Sequence, residues 1–278
     1  METKLSVWSS YFVELSPEEM VEEFINNGIF ASELSDEHGF VLMQRGDNFV
    51  ETGRKFGGFL KDRNFDMSQG HLWLKIKFCT EKGSMEKLFD WVDMYEAIGI
   101  KNMVLHCDEL SDTSLNCEEK IEKNVQELKK LAQHIKDKDI TICLENLRPH
   151  FPGEQNLIDV TAEDLLEIIR RVDSPRFGIC LDTGHLNLTV KNQEQFILTA
   201  GDKLKALHIA DNQGETDQHM MPFGRGTVDF IKVVKALKKV NYKGMFNMEI
   251  PGESHIPMEL RCEKLKYIRA CYEYLMRK

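Results

Sequence analysis

The sequence shows none of the features that would place the chain in a membrane or an oxidising compartment. It contains no apolar run approaching the roughly 18 residues that a membrane-spanning helix requires. Its first residues, Met-Glu-Thr-Lys-Leu-Ser-Val-Trp, include no apolar signal region. Its seven cysteines include no Cys-x-x-Cys pair, which argues against a zinc ribbon and a disulfide framework. We therefore expect a cytoplasmic protein with no membrane partner, whose cysteines are mostly buried thiols.

Basic charge is scarce relative to acidic charge. The chain has 36 lysines and arginines against 46 aspartates and glutamates, for a formal net charge of −10. A duplex-DNA-binding protein usually presents a basic face, so we do not expect a nucleic-acid partner. An acidic balance instead suits a site that collects cations. No Gly-x-Gly-x-x-Gly or phosphate-loop pattern follows the first predicted strand, which argues against a dinucleotide-binding fold.

Strand-like and helix-like segments alternate along the whole chain, and their order predicts the fold class. The predicted strands cover residues 5–12, 29–34, 64–70, 101–105, 139–144, 177–181, 204–209 and 245–250. Each is followed by a predicted helix, and the helices cover about 17–27, 47–61, 85–98, 116–136, 162–172, 193–199, 229–240 and 257–276. The strands are short and apolar without alternating polarity, as expected for strands buried on both faces. Eight such units in 278 residues predict a (β/α)8 TIM barrel, an α/β fold formed by a single domain spanning 1–278.

Polar residues that bind metals or transfer protons stand where the predicted strands end. They are His71, His106, Glu145, Asp182, His185, His208 and Glu249, and the loop after the seventh strand adds Asp217 and His219. In a TIM barrel these positions share the carboxyl end, where active sites lie. One such residue alone is commonly structural, but burying so many without partners is costly, and a divalent cation removes that cost. The remaining histidines are expected at the surface or in loops: His38, His134, His150 and His255.

Five short motifs around these positions resemble one known superfamily. They are Leu-Glu-Asn (144–146), Leu-Asp-Thr-Gly-His (181–185), His-Ile-Ala-Asp-Asn (208–212), Asp-Gln-His with Pro-Phe-Gly-Arg-Gly (217–226) and Met-Glu-Ile (248–250). In order and spacing, the chain resembles the xylose isomerase-like TIM barrels along essentially its whole length. That superfamily contains sugar-phosphate isomerases and epimerases together with the AP endonuclease family 2. The resemblance is specific for the superfamily and leaves the reaction open.

The resemblance to the epimerase branch implies a site with a single divalent cation, Mn, Co, Mg or Zn. The residues that match its metal ligands are Glu145, Asp182, His208 and Glu249. Glu145 and Glu249 would also act as acid and base on the two faces of a small carbohydrate substrate. His185 would bind a substrate hydroxyl. Arg225 is a candidate for binding a substrate oxygen or phosphate, with a solvated loop arginine as the alternative, and Arg148 is a weaker candidate.

The resemblance to the nuclease branch implies a different use of the same frame, with up to three zinc ions. One ion would lie among His71, His106 and Glu145, a second among Glu145, Asp182, His208 and Glu249, and a third among His185, Asp217 and His219. Such a site would hydrolyse phosphoesters in abasic DNA. Other metal-dependent carbonyl chemistry and a non-catalytic sugar-binding protein also remain open.

Three features favour the sugar isomerase or epimerase over the nuclease. The charge balance is acidic, and Leu-Asp-Thr-Gly-His-Leu-Asn (181–187) looks more like the isomerase versions of this motif. The predicted loop 36–47 has only Arg45 as a full positive charge, so it offers no basic, aromatic-bearing loop for holding an opened duplex. Substrate specificity is expected to lie in loops 75–84 and 151–159. The long closing helix is expected either to cover the barrel or to form a homo-oligomer contact.

Overall fold

The computed structural model describes residues 3–110, 114–149, 154 and 156–278, and a parallel β-sheet forms its centre. The strands are β1 (Lys4–Trp8), β2 (Ala31–Leu34), β3 (Asp66–His71), β4 (Asn102–Leu105), β5 (Thr141–Glu145), β6 (Phe177–Asp182), β7 (Leu204–His208) and β8 (Met245–Met248). Strands that follow each other in sequence are neighbours in the sheet, and β1 also pairs with β8. A parallel bridge between Ile209 and Met248 joins the two remaining edges. The predicted (β/α)8 barrel is confirmed, whereas the extent of the domain, residues 1–278, stays a prediction.

Helices connect the strands and surround the barrel. They are α1 (Pro17–Asn26), α2 (Asp36–Met43), α3 (Phe49–Asp62), α4 (Ser84–Ile98), α5 (Cys117–His134), α6 (Ala162–Val172), α7 (Thr183–Asn187), α8 (Gln193–Ala200), α9 (Phe230–Lys239) and α10 (Met258–Met276), with short 3-10 helices at Ser9–Phe12 and Gly201–Lys203. Among the described residues, no helix combines the length and the apolar character needed to cross a membrane.

Three helices begin at capping boxes that the local sequence specifies. In each, the side chain of the N-cap residue accepts a hydrogen bond from the backbone N–H three residues later. The side chain of that later residue accepts a hydrogen bond from the backbone N–H of the N-cap residue. The pairs are Ser16 with Glu19, Asn116 with Glu119, and Thr161 with Asp164. A cap of this kind stabilises a helix by about 1 kcal/mol. The predicted starts of these helices are therefore close to the observed ones.

The barrel interior beneath the strand ends is filled by small side chains on one side. Four adjacent strands contribute one buried residue each, and these are Val104, Cys143, Cys180 and Ala206. Each stands two residues before one of the predicted site residues, and side chains two apart on a strand share a face. The same alternation therefore aims His106, Glu145, Asp182 and His208 into the barrel mouth. All seven cysteines are free thiols, and Cys107, Cys143, Cys180 and Cys271 are buried, as expected.

Two local elements differ from the prediction. The first strand ends at Trp8, and the 3-10 helix Ser9–Phe12 takes the place of its predicted second half. The predicted loop 36–47 is wrong over Asp36–Met43, which form α2 behind the N-cap Ser35. The apolar residues of α2, Phe40 to Met43, are consecutive in sequence and show no helical period, so periodicity does not reveal this helix.

His38 is buried, so the prediction of a surface or loop position is wrong for this histidine. Its Nδ1 lies 2.9 Å from Ser9 Oγ and its Nε2 lies 3.1 Å from the Leu15 carbonyl oxygen. Burial lowers the pKa of the imidazole, which favours the neutral, hydrogen-bonded form. His134 is half-buried and His255 is exposed, while His150 lies outside the described residues. His38 therefore ties α2 to the segment that follows β1.

Candidate metal centre

A cavity of about 580 Å³ opens at the carboxyl end of the barrel strands. Seven of the nine predicted strand-end and loop residues line it: His71, His106, Glu145, His185, Asp217, His219 and Glu249. The other two, Asp182 and His208, are fully buried directly behind this wall. The structure thus brings all nine residues together, because the ends of parallel barrel strands share one rim. Their individual roles stay predictions.

Glu145 is the centre of the site, since four imidazoles converge on its carboxylate. Oε2 lies 3.4 Å from His71 Nε2 and 3.1 Å from His106 Nε2. Oε1 lies 3.3 Å from His185 Nδ1 and 3.2 Å from His208 Nδ1. Burial raises the pKa of Glu145, but the charges of His208 and His106 outweigh burial and hold the pKa well below its usual range. Glu145 is therefore held ionised, which is the state that a metal ligand or a base requires.

The two histidines on Oε2 form a ligand group with Glu145. Burial lowers the pKa of both imidazoles, and in His71 the hydrogen bond and charge of Glu145 overcome burial and raise the pKa to about 9. His71 Nδ1 donates to the Leu72 carbonyl oxygen at 2.7 Å, which leaves Nε2 facing Glu145. Ligand atoms of His71, His106 and Glu145 all lie within 4.8 Å of one another. This group therefore fits a cation by its spacing.

A second group, Asp182, His208 and Glu249, contains three buried polar atoms that have no hydrogen-bond partner. They are Asp182 Oδ2, His208 Nδ1 and Glu249 Oε2. His208 Nδ1 and Glu249 Oε2 are 3.5 Å apart, and ligand atoms of all three residues lie within 4.8 Å. Buried polar atoms without partners cost free energy, and a divalent cation with oxygen and imidazole ligands would satisfy all three. The donor set therefore fits a metal ion.

The two carboxylate oxygens of Asp182 have different surroundings, and different substitutions can separate their effects. Its Oδ1 accepts a hydrogen bond from the His185 backbone N–H at 2.6 Å and caps α7, while Oδ2 is the unpartnered atom. Asp182→Asn keeps an oxygen for the cap and removes the charge, so we expect Mn²⁺ affinity to fall at least about tenfold at little cost in stability. Asp182→Ala also removes the cap, and its free energy of unfolding should fall by about 1 kcal/mol more.

Calorimetric titration with Mn²⁺ and urea unfolding of the metal-free proteins measure these two effects of the Asp182 substitutions separately. Equal Mn²⁺ affinity in Asp182→Asn and the unsubstituted protein would exclude Asp182 as a ligand.

A third group surrounds the carboxylate of Asp217. His185 Nδ1 and His219 Nδ1 donate to the carbonyl oxygens of Asn146 and Glu249 at 3.0 and 2.9 Å. Their Nε2 atoms therefore both face Asp217, at 3.3 Å from Oδ2 and Oδ1 respectively. Burial lowers the pKa of both imidazoles, but the surrounding carboxylates outweigh it, raising the pKa of His219 to about 10 and that of His185 well above its usual value. The Asp217 carboxylate therefore favours a positive charge beside it, either on a protonated imidazole or on a metal ion.

The two predicted substrate-binding arginines have different positions. Arg148 lines the cavity, and its Nε donates to Asp217 Oδ2 at 3.0 Å. Arg225 is exposed and does not line the cavity. Two residues earlier in the same loop, the ring of Phe223 packs with its centroid 5.4 Å from that of Tyr274 in α10. A contact between Arg225 and substrate therefore stays a prediction, without support from the geometry.

Glu33, a fully buried carboxylate near the end of β2, was not among the predicted site residues. It lies 3.0 Å from His208 Nε2 and accepts a hydrogen bond from Asn247 Nδ2 at 2.8 Å. The pattern that identified Glu145, an apolar strand ending with one carboxylate, also marks Glu33 in Ala31–Leu34. Trp8, at the end of β1, also lines the cavity, and the rule could not find it because it considered only metal-competent and acid–base side chains.

Of the two loops predicted to govern specificity, 75–84 contributes Lys75, Lys77 and Glu81 to the cavity wall. In 151–159, residues 151–153 and 155 lie outside the described part of the chain. The described cavity wall therefore carries both basic and acidic groups from this loop.

Comparisons with known proteins agree with this architecture. The family model described as xylose isomerase-like TIM barrel matches residues 33–271. Over 185 residues the chain is 28% identical to the uncharacterized protein y4fM of Sinorhizobium fredii, an alignment covering 64% of this chain and 56% of that protein. Over 126 residues it is 31% identical to the L-ribulose 3-epimerase of Methylomonas sp., covering 45% of this chain and 41% of that enzyme. The chain thus spans about half the length of the curated relatives it matches.

Solved structures share the fold along nearly the whole chain. A D-tagatose 3-epimerase-like protein superimposes with a TM-score of 0.78 at 21% identity, covering 99% of this chain and 98% of that one. A D-psicose 3-epimerase crystallised in the presence of D-fructose also gives 0.78, at 14% identity and with 98% and 99% coverage. The family match covers far more than half of the chain, and the barrel agrees with it. The chain therefore belongs to the xylose isomerase-like TIM barrel family.

Proposed function

We propose that the protein is a divalent-metal-dependent isomerase or epimerase of a small sugar or sugar phosphate. One observation carries the proposal: the carboxylates of Glu145, at the end of β5, and of Glu249, directly after β8, converge on the same nitrogen, His208 Nδ1, at 3.2 and 3.5 Å. Both carboxylates also line the cavity. Such a pair can take a proton from one position of a bound substrate and return it at another. The names of the related 3-epimerases support a sugar as that substrate.

The chain's own residues divide the chemistry between them. A cation held by Glu145, Asp182, His208 and Glu249 would polarise a substrate carbonyl and its neighbouring hydroxyl, and so acidify the C–H bond between them. One glutamate removes that proton, and the other delivers a proton elsewhere. Delivery to the opposite face of the same carbon gives an epimer. Delivery to the neighbouring carbonyl carbon, with the hydroxyl proton passing to the former carbonyl oxygen, gives an aldose–ketose isomer. We assign the binding of a substrate hydroxyl to His185 on the cavity wall, which would share its Nε2 between that hydroxyl and Asp217.

The surroundings of the cavity support a small substrate over an opened DNA duplex. Its volume of about 580 Å³ lies within the range of about 300–1,000 Å³ that is usual for small-molecule sites. Near its mouth, Lys77 Nζ lies 4.0 Å from both Asp108 Oδ1 and Glu109 Oε2, so nearby carboxylates offset its charge. A phosphate backbone would gain little from such a neutralised surface.

The proposed function is tested by isotope exchange. Metal-free protein and protein loaded with Mn²⁺, Co²⁺, Mg²⁺ or Zn²⁺ are incubated with a panel of ketoses and sugar phosphates in deuterated water. We expect metal-dependent C–H deuterium incorporation into at least one sugar, measured by NMR. Failure to label any sugar, together with metal-dependent nicking of abasic DNA, would contradict the isomerase or epimerase.

A multi-zinc phosphoester hydrolase is the second candidate, because the described residues of the site contain four groups that could hold a metal ion. They are His71 with His106 and Glu145, Glu145 with Cys180 and His208, Asp182 with His208 and Glu249, and Asp182 with His185 and His219. Arg148 argues against the third ion that was predicted among His185, Asp217 and His219. Its Nε already donates a hydrogen bond to Asp217 Oδ2 at 3.0 Å. A guanidinium at this distance repels a dication seated on the same carboxylate. The geometry therefore favours fewer than three ions, and we propose one.

Substituting Arg148 should change the number of bound ions. Because Arg148→Gln removes the cation that competes for Asp217, we expect this variant to bind about one zinc more per chain than the unsubstituted protein. Elemental analysis after equilibration with Zn²⁺ and desalting measures the number directly. Arg170→Gln, which removes an exposed charge paired with Glu167 on α6, serves as the matched control. Three zinc ions in the unsubstituted protein would show that Arg148 does not exclude the third ion.

A further inference from the structure

Glu33 is a wholly buried carboxylate whose charge is met by hydrogen-bond donors. His208 Nε2 lies 3.0 Å from both of its oxygens, Asn247 Nδ2 donates to Oε2 at 2.8 Å, and Gln69 Nε2 also donates to Oε2. Within the described part of the chain, no lysine or arginine pairs with Glu33. A buried carboxylate is tolerated only when donors satisfy its oxygens, so all three contacts are needed to hold it there. Glu33 does not line the cavity, and its action must therefore pass through one of these partners.

Among the three partners, only His208 reaches the candidate metal centre. Its Nε2–H points to Glu33, and its Nδ1 has no hydrogen-bond partner and lies 3.2 Å from Glu145 Oε1. A neutral imidazole carries one N–H and one ring nitrogen with a lone pair. Because the Glu33 carboxylate accepts a hydrogen bond from Nε2–H, the lone pair is at Nδ1. The ring cannot rotate away without leaving the buried carboxylate unsatisfied.

We propose that Glu33 is the positioning residue of this site: it fixes the orientation and tautomer of His208, so that Nδ1 is presented to a divalent cation. Glu33 itself touches neither cation nor substrate. The inference rests on the metal-dependent part of the proposed function and adds a residue from β2 to it. A carboxylate behind a metal-binding imidazole fixes the ring and makes its free nitrogen a better ligand.

A purely structural role for Glu33 predicts a different result when other bonds around it are removed. Glu33 belongs to a buried polar layer in which Ser6 Oγ donates to Asn247 Oδ1 at 2.8 Å. If Glu33 served only to satisfy this layer, loss of any bond in it would have similar consequences. Ser6→Ala removes one of these bonds without touching Glu33 or His208, so it is the matched control.

The experiment compares the unsubstituted protein, Glu33→Gln and Ser6→Ala as full-length, metal-depleted chains. Circular dichroism verifies the fold, and electron paramagnetic resonance measures Mn²⁺ affinity. Glutamine keeps the size but presents one acceptor oxygen to three donors, so His208 loses its fixed partner. We expect the affinity of Glu33→Gln for Mn²⁺ to fall by about 10- to 100-fold, and that of Ser6→Ala to stay unchanged.

The possible outcomes distinguish a failure of this inference alone from a failure of the proposed function. If the unsubstituted protein binds no divalent ion, the proposed function fails, and the role of Glu33 fails with it. If that protein binds Mn²⁺ and Glu33→Gln binds it equally well, or if Ser6→Ala weakens binding as much, only the inference about Glu33 is overturned. Should Glu33→Gln not fold, ¹⁵N NMR of the zinc-loaded unsubstituted protein decides. We expect His208 as the Nε2–H tautomer, and the Nδ1–H tautomer would overturn the inference.

Discussion

Glu249→Gln is expected to lower the rate of C–H deuterium exchange on the substrate by a factor of about 10²–10⁴, the usual contribution of a general acid or base. Glutamine cannot accept or deliver the proton that we assign to Glu249. The fold should survive, because burial raises the pKa of Glu249 to about 8 and the site therefore already suits a neutral side chain. NMR-detected exchange under saturating Mn²⁺ measures the effect, since the variant also loses a charged ligand.

Glu253→Gln is the matched control for Glu249→Gln, because it changes an exposed glutamate four residues later that pairs with Lys264. It should exchange deuterium at the unsubstituted rate. An active Glu249→Gln variant would remove the acid–base role assigned to Glu249 and would leave Glu145 to act without a partner.

Saturation with a divalent ion is expected to raise the melting temperature by roughly 8 °C or more over the metal-free protein. At a free ion concentration of about 1,000 times Kd, bound metal raises the free energy of unfolding by about 4 kcal/mol. Each kcal/mol shifts Tm by about 2–4 °C in a chain somewhat smaller than this one. The physical source is the buried group of Asp182, His208 and Glu249, in which three polar atoms lack a hydrogen-bond partner that the cation would supply.

Differential scanning calorimetry with and without a chelator measures this shift. The stabilisation should shrink on acidification, because protons compete with the metal for carboxylates and imidazoles. Asp182→Asn should show a smaller shift at the same ion concentration. Identical melting temperatures for chelated and Mn²⁺-saturated protein would exclude a metal bound at this buried group.

The parts of the fold that were predicted correctly depend on local signals. Capping residues such as Ser16 and Thr161 mark helix starts through bonds to residues only three positions away. The α2 helix has such a cap at Ser35, but its apolar residues show no helical period, so it was predicted as a loop. The burial of His38 depends on Ser9 and Leu15, distant in sequence, and no local pattern reports such a contact.

The composition of the candidate site could be predicted because strand ends in a parallel barrel must meet. Seven residues were placed together on that basis, Asp217 and His219 were added from the loop after the seventh strand, and the structure brings all nine to the cavity or directly behind it. The same rule fails for Arg225, which belongs to a loop, and the direction of a loop depends on tertiary packing such as that of Phe223 on Tyr274. Glu33 was overlooked although the rule includes it.

By itself, the sequence determined the (β/α)8 barrel and the set of metal-competent residues at its rim, because strand periodicity and helix caps are encoded within a few residues. Only the tertiary structure decided which atoms meet. It joined Arg148 to Asp217, which argues against a third cation, and it joined Glu33 to His208 across 175 positions of sequence. These contacts depend on how eight strands are brought together in one barrel, and the number of ions and the tautomer of His208 that we propose rest on them.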